Sequence, residues 1–228
     1  MSDLNIREWG DGDRTAVLIH GLTAESTSWW RVGPALADRG YHVYAPDLPG
    51  HGRSPRLSGY RLESVADAVA EAIPGEPELA LGHSLGALVL ATIVDRVRPA
   101  RVVYEDPAWL AGHPAIAEAF RAQKNWTIED VRAASPRWAP QAWQFKLDAL
   151  SHWDTRTLEV VDGFPGYDPA PPAAPALLLL ADPSATVAPE RAAELATRGF
   201  EVRSVADTGH VIHNDDLDGF LAGLDGWW

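Results

Sequence analysis

Six short, nearly unbroken apolar runs alternate with longer stretches of helical periodicity, and few architectures accommodate that alternation. The runs fall at residues 15–20, 42–45, 79–82, 101–104, 176–180 and 200–205. Continuous rather than alternating hydrophobicity predicts strands buried on both faces, as in an α/β fold with a mostly parallel sheet and helices on each side. Helical patterns follow at 30–38, 62–72, 85–97, 190–197 and 215–224. Pro189 and Gly199 supply start and stop chemistry for the fourth of these. Ahead of the first run, residues 4–9 read as an antiparallel strand that turns at 11–13 into the first parallel one.

Residues 107–165 break the alternation. They read as helices at 114–124, 128–134 and 141–150, followed by a Pro- and Ala-rich connector at 167–175. A chain of 228 residues, 46% of them hydrophobic, suits one domain with a sizeable core and is short for two. The expected organisation is therefore a core of residues 1–106 and 166–228 carrying 107–165 as an inserted helical lid.

Charge and composition exclude several functions. The net charge is −13, and no run of Lys and Arg is present to track a phosphate backbone. Nucleic acid and anionic membrane surfaces are poor partners for such a chain. With no cysteine, disulfides, thiolate metal sites and a Cys nucleophile are all excluded. No His-Glu-x-x-His spacing occurs, so neither a metal nor a cofactor is expected. The first residues have neither a basic start nor an apolar core, and the longest apolar runs are too short to span a bilayer. The expectation is a soluble cytoplasmic protein, monomer or homodimer, whose partner is a small-molecule substrate.

Gly82-His83-Ser84-Leu85-Gly86 lies between an apolar run and a helical pattern. In that setting Gly-x-Ser-x-Gly requires a tight strand-to-helix turn that holds the serine in a strained conformation with its Oγ exposed. The two glycines let strand and helix pass closely, and the new helix aims free N–H groups and its positive end at the site. The plainer reading makes Ser84 only the cap of a helix. A second feature weighs against it: His20-Gly21-Leu22 ends the first parallel strand, where this architecture needs another oxyanion donor. The backbone N–H groups of Leu22 and Leu85 form the expected pair.

Together with Asp47-Leu-Pro-Gly-His-Gly-Arg-Ser54 and Gly209-His210, these motifs make the chain resemble the α/β-hydrolase family over nearly its whole length, the lid excepted. The resemblance implies a serine hydrolase with Ser84 as nucleophile and His210 as general base. It makes the 47–54 loop a structural neighbour of the pocket and does not make Asp47 catalytic. His20, His51 and His83 sit inside the glycine motifs as structural or pocket residues. His213 is near enough to His210 to serve as a control.

The triad acid departs from the family pattern. The usual position follows the next-to-last strand, in a Gly-x-x-Asp turn ahead of a Val-Pro segment. Here Ala181-Asp-Pro-Ser-Ala-Thr-Val-Ala-Pro-Glu190 places Ser184 or Ala185 there, and Asp182 about two residues early. A serine cannot supply the negative charge that an imidazolium needs. A family variation puts the acid after the preceding strand, where Asp106 stands. Asp106 is the better placed and Asp182 the alternative; Glu105 is disfavoured because adjacent strand residues face opposite ways.

Ten tryptophans are many for this length, and Trp109, Trp126, Trp138, Trp143 and Trp153 cluster in the middle. Packing accounts for some of them. Trp29, Trp109, Trp126 and Trp143 are expected in the substrate pocket, which favours a mostly apolar substrate. The terminal Trp227-Trp228 pair is expected on the surface or in an oligomer contact. The expected reaction is hydrolysis of an ester, thioester or lactone through an acyl-enzyme on Ser84. Alternatives are a small-molecule receptor or sensor, or a carbon–carbon-cleaving or acyl-transferring relative on the same fold.

Overall fold

A computed structural model describes residues 4–228, so residues 1–3 of the expected core lie outside the described residues. Strands β1 (Ile6–Trp9), β2 (Arg14–Ile19), β3 (Tyr41–Pro46), β4 (Leu79–His83), β5 (Arg101–Glu105), β6 (Ala176–Asp182) and β7 (Glu201–Ala206) follow the apolar runs. They form a seven-stranded sheet in the order β1-β3-β2-β4-β5-β6-β7. Only β1 is antiparallel.

The expected hairpin between the first two strands does not form. β1 pairs with β3, Ile6 opposite Pro46 and Trp9 opposite Val43. Both edges of β2 are already taken by parallel neighbours, β3 and β4. The early strand is therefore displaced to the rim of the sheet.

Continuous hydrophobicity has a direct structural cause. Successive side chains on a strand point to opposite faces, and each face has its own core. Val17, Ile19, Ala80, Val102 and Leu178 join one cluster; Ala16, Leu18, Leu81, Val103 and Leu177 join the other. Helices α2 (Leu62–Ala72) and α3 (Leu85–Val97) cover the first face, while α1 (Val32–Ala37) covers the second. Each leucine fully removed from water here contributes roughly 1.5–3 kcal/mol.

The predicted helix at 30–38 is preceded by a 3₁₀ turn, Ser26–Trp29, and shortened to α1. The insertion between β5 and β6 holds α4 (Pro114–Ala122), α5 (Ile128–Ala134) and α6 (Pro140–His152), with a 3₁₀ turn at Thr155–Val160. Both α4 and α6 begin on a proline, whose missing N–H costs nothing there. A reciprocal Thr127–Asp130 capping box starts α5. Lys124 Nζ closes the far end of α6 by donating to the carbonyls of Leu150, Ser151 and Trp153 at 2.6, 3.0 and 2.7 Å. Beyond β6 lies α7 (Pro189–Thr197). The pattern at 215–224 is preceded by α8 (Ile212–Asp215) and becomes α9 (Leu217–Gly223). Asp216 separates them in an extended conformation, its side chain accepting the Gly219 N–H at 3.0 Å.

Trp227 is not a surface residue. It is 6% exposed in the second core, and only Trp228 sits at its edge, under the Arg39 guanidinium at 4.2 Å. Among the described residues no helix is long and apolar enough to cross a membrane.

Candidate active site

The turn between β4 and α3 carries Ser84 at φ +53°, a conformation that L side chains seldom adopt. Three hydrogen bonds anchor the strained backbone: Ser84 N–H donates to Glu105 O at 3.0 Å, and Ser84 O accepts Leu88 N–H and Ala108 N–H at 3.1 and 3.2 Å. A Cβ on Gly86 would collide with the carbonyls of Ile19 and His20, and one on Gly21 would press into the His83 ring. Glycine at these positions allows the serine turn and the loop after β2 to touch. Among the described residues, the N–H groups of Leu22 and Leu85 have no protein acceptor and remain free for a ligand oxygen.

His210 joins this turn to β5. Its Nδ1 lies 2.6 Å from Asp106 Oδ2 and its Nε2 2.8 Å from Ser84 Oγ. A carboxylate only accepts, so Nδ1 carries the proton and Nε2 accepts from the serine hydroxyl. Asp106 is fully buried, whereas His210 is partly open to the cavity. Asp106 Oδ1 also accepts Ser184 Oγ–H at 2.6 Å and Ala181 N–H at 3.3 Å. Ser184 itself is held by the N–H groups of Thr186 and Val187 at 3.2 and 3.0 Å. Asp182 is exposed and makes no hydrogen bond to His210.

Neighbouring histidines fix the surroundings. His83 Nε2–H donates to the His210 carbonyl at 3.0 Å, and burial pushes its pKa down to about 3. His20 Nδ1–H donates to Gly21 O at 2.8 Å while Nε2 accepts Leu48 N–H at 2.9 Å, which locks the neutral ring. Burial lowers its pKa as well. Asp47 is buried, accepting the N–H groups of Ser26 and Arg53 at 2.7 and 3.0 Å, so it braces its loop. Glu105 points away from Ser84, as strand alternation requires. Its carboxylate accepts His213 Nδ1–H at 2.8 Å and His213 N–H at 3.0 Å. His213 Nε2 in turn meets Ser28 Oγ at 2.9 Å.

Ser84 and His210 open into a cavity of about 180 Å³ between the sheet and the insertion. Leu22, Phe120, Trp126, Trp138, Ala142 and Phe145 give it an apolar wall. Of the expected pocket tryptophans, only Trp126 lines it. Trp29 is fully buried in the second core, stacked on His213 at 4.3 Å between ring centroids. Its neighbour Trp30 lines the cavity instead. Trp109 is drawn under the insertion by Tyr104, Phe200 and Tyr167, with ring centroids 5.1–6.0 Å away. Trp143 turns back to donate its Nε1–H to Ser135 O at 2.8 Å, stacking under Arg132. Trp138, Gln123 and Lys146 also line the cavity, and no local sequence pattern marks them as pocket residues. Among the described residues no cluster of His, Asp and Glu is arranged to hold a metal.

The model of the alpha/beta hydrolase family matches residues 16–222, and the chain belongs to that family. Among curated relatives, the pimeloyl-[acyl-carrier protein] methyl ester esterase of Methylococcus capsulatus is 46% identical over 110 residues, 48% of this chain and 40% of the relative. Lipase LipV of Mycobacterium tuberculosis is 34% identical over 158 residues, 66% of this chain and 56% of the relative. The chain thus spans less than two thirds of the length of these relatives. Among solved structures, an N-formylmaleamic acid deformylase from Pseudomonas putida superposes with TM-score 0.81 at 25% identity, covering 96% of this chain and 94% of that one. The enol-lactonase of Burkholderia xenovorans superposes at 0.78 with 21% identity, covering 98% and 94%, a likeness of fold.

Proposed function

We propose that this chain hydrolyses a carboxylic ester, thioester or lactone of a small, mostly apolar substrate through an acyl-enzyme on Ser84. The hydrogen-bonded chain Ser84–His210–Asp106 carries the reading. Ser84 Oγ attacks the substrate carbonyl carbon as His210 Nε2 takes its proton. The resulting oxyanion is held by the N–H groups of Leu22 and Leu85, and such a donor is worth about 10²–10³ in rate. As the tetrahedral intermediate collapses, the bond to the leaving group breaks and His210 returns the proton to the departing oxygen or sulfur. Water then attacks the acyl carbon with His210 again as base, releasing the acid and restoring Ser84. Asp106 keeps the proton on Nδ1 and offsets the imidazolium charge throughout.

The names of the esterase and lipase relatives support acyl rather than alkyl chemistry. A serine nucleophile also disfavours dehalogenase or epoxide hydrolase chemistry, which needs an alkyl ester on a carboxylate. The apolar wall supports an aliphatic or aromatic acyl group over a heavily charged one. The test is a panel of p-nitrophenyl esters from acetate to octanoate. Turnover by the native chain that disappears in Ser84→Ala supports the reading, and no turnover of any ester overturns it.

A further inference from the structure

The insertion carries two lysines, Lys124 and Lys146, and their surroundings differ. Lys124 spends all its donors on three carbonyls at the end of α6. Lys146, on α6 itself, lines the cavity beside Ser84 and has only one protein partner. Its Nζ donates to Thr23 Oγ1 at 2.6 Å and to Thr23 O at 3.2 Å. An ammonium has three N–H donors, and among the described residues the third has no acceptor. No carboxylate among the described residues lies within ion-pair distance of Lys146. Glu25, the acid that shares the cavity, is occupied by Thr27 and His152 at 3.2 and 3.0 Å.

Gln123 adds a second donor at the same point. Its Oε1 accepts Thr23 Oγ1–H at 3.4 Å, and its amide NH₂ makes no hydrogen bond to protein among the described residues. Lys146 and Gln123 therefore converge on one hydroxyl, the lysine with one N–H to spare and the amide with two, inside a cavity whose exposed wall is mostly apolar.

We propose that Lys146 and Gln123 form a carboxylate subsite, so that the substrate of Ser84 carries a free carboxylate remote from its scissile bond. This rests on the hydrolase reading above and narrows its substrate to half-esters, half-thioesters or carboxylated lactones. A single ammonium, with no arginine in the cavity wall among the described residues, matches one negative charge and not a phosphate dianion. Burial is what pushes the Lys146 pKa down, to about 7. A bound carboxylate supplies the missing counter-charge. The competing explanation is a tether: Lys146 pins the insertion to Thr23, whose φ is +61°. A tether requires two hydrogen bonds but not a charge, and a neutral amide would provide them without burying an ammonium.

The experiment compares the mono-p-nitrophenyl ester of glutaric acid with p-nitrophenyl pentanoate, equal in acyl length and different in charge. The native chain is expected to favour the glutarate ester in kcat/KM. In Lys146→Gln that preference falls at least tenfold, mainly through KM, and Lys146→Arg keeps most of it. A ratio unchanged in Lys146→Gln, with both esters slowed together, identifies a tether and overturns the subsite. A second readout does not depend on turnover. Glutarate titrated against tryptophan fluorescence should give a saturable change, reported by Trp30, Trp126 and Trp138 in the cavity wall. Its Kd should rise at least tenfold in Lys146→Gln. If neither ester is cleaved the hydrolase reading fails, and the glutarate titration still decides the subsite. Ester turnover without charge preference or glutarate binding defeats the subsite alone.

Discussion

Ser184 Oγ donates to Asp106 Oδ1 at 2.6 Å, so the hydroxyl standing where the family pattern looks for an acid holds the carboxylate that meets His210. Strand β6 thus keeps its place in the site while the charge comes from the end of β5. Asp106→Asn should lower kcat by about 10³–10⁴-fold, because the amide leaves His210 with the wrong tautomer and no counter-charge. Asp182→Asn should leave kcat within about twofold. Steady-state kinetics on both variants, with circular dichroism to check folding, would reverse the assignment if the two outcomes were exchanged.

Ser184→Ala should be milder. It removes one hydrogen bond to an ionised oxygen, worth about 1.5–3 kcal/mol, while Ala181 N–H still holds Asp106. The expected loss in kcat is about tenfold with KM unchanged. A loss as deep as that of Asp106→Asn would mean that Ser184 positions the whole loop, not one oxygen.

Glu105 and His213 form a second carboxylate–imidazole pair, buried at 0% and 1% exposure and outside the proposed chemistry. Removing one partner of a buried pair costs about 3–5 kcal/mol, since the other loses its bonds without regaining water. Glu105→Ala should therefore lower the urea midpoint sharply and Tm by about 10 °C. Glu105→Gln, which still accepts from His213, should lose much less. Equal stability of the two variants would contradict the pairing.

The sequence made much of this arrangement readable, and the reasons are local. Val17 and Leu18 serve different cores, so strand positions appear as continuous apolar runs. Ser84 and Leu22 sit in glycine motifs whose backbone geometry only a few residues allow. Asp106 stood out because no acid occupied the usual place. The insertion was less legible. Whether a tryptophan lines a cavity or fills a core depends on how α4 to α6 settle over the sheet, which no local pattern encodes. Trp29 and Trp30 are adjacent, yet one is core and the other cavity wall. Lys146 looked like any polar residue on a helix. In the sequence Ser184 reads as a missing acid, and only the fold makes it the acid's hydrogen-bond donor.

Acid should unfold the protein early. Burial holds the pKa values of His51 and His83 down at about 3, and lowers that of His20. The unfolded rings take up protons below 6.5, the ordinary value. The unfolded state then binds more protons than the folded one, so stability is complete above pH 6.5 and falls as pH drops towards 3. Each histidine contributes a slope approaching about 1.4 kcal/mol per pH unit. Asp47 and Glu105, whose pKa values are lowered from 3.8 and 4.5, add to the loss only near and below those values. Urea unfolding between pH 4.5 and 6.5 isolates the histidines, and a flat profile there would contradict their burial as neutral rings.

If Ser84 is the nucleophile, a covalent adduct forms on its Oγ and nowhere else. A fluorophosphonate added to the native chain at neutral pH should raise its intact mass by one phosphonyl group, located on Ser84 by peptide fragmentation. Ser84→Ala should remain unmodified under the same conditions. An unlabelled native chain, or equal labelling of the variant, would contradict the assignment.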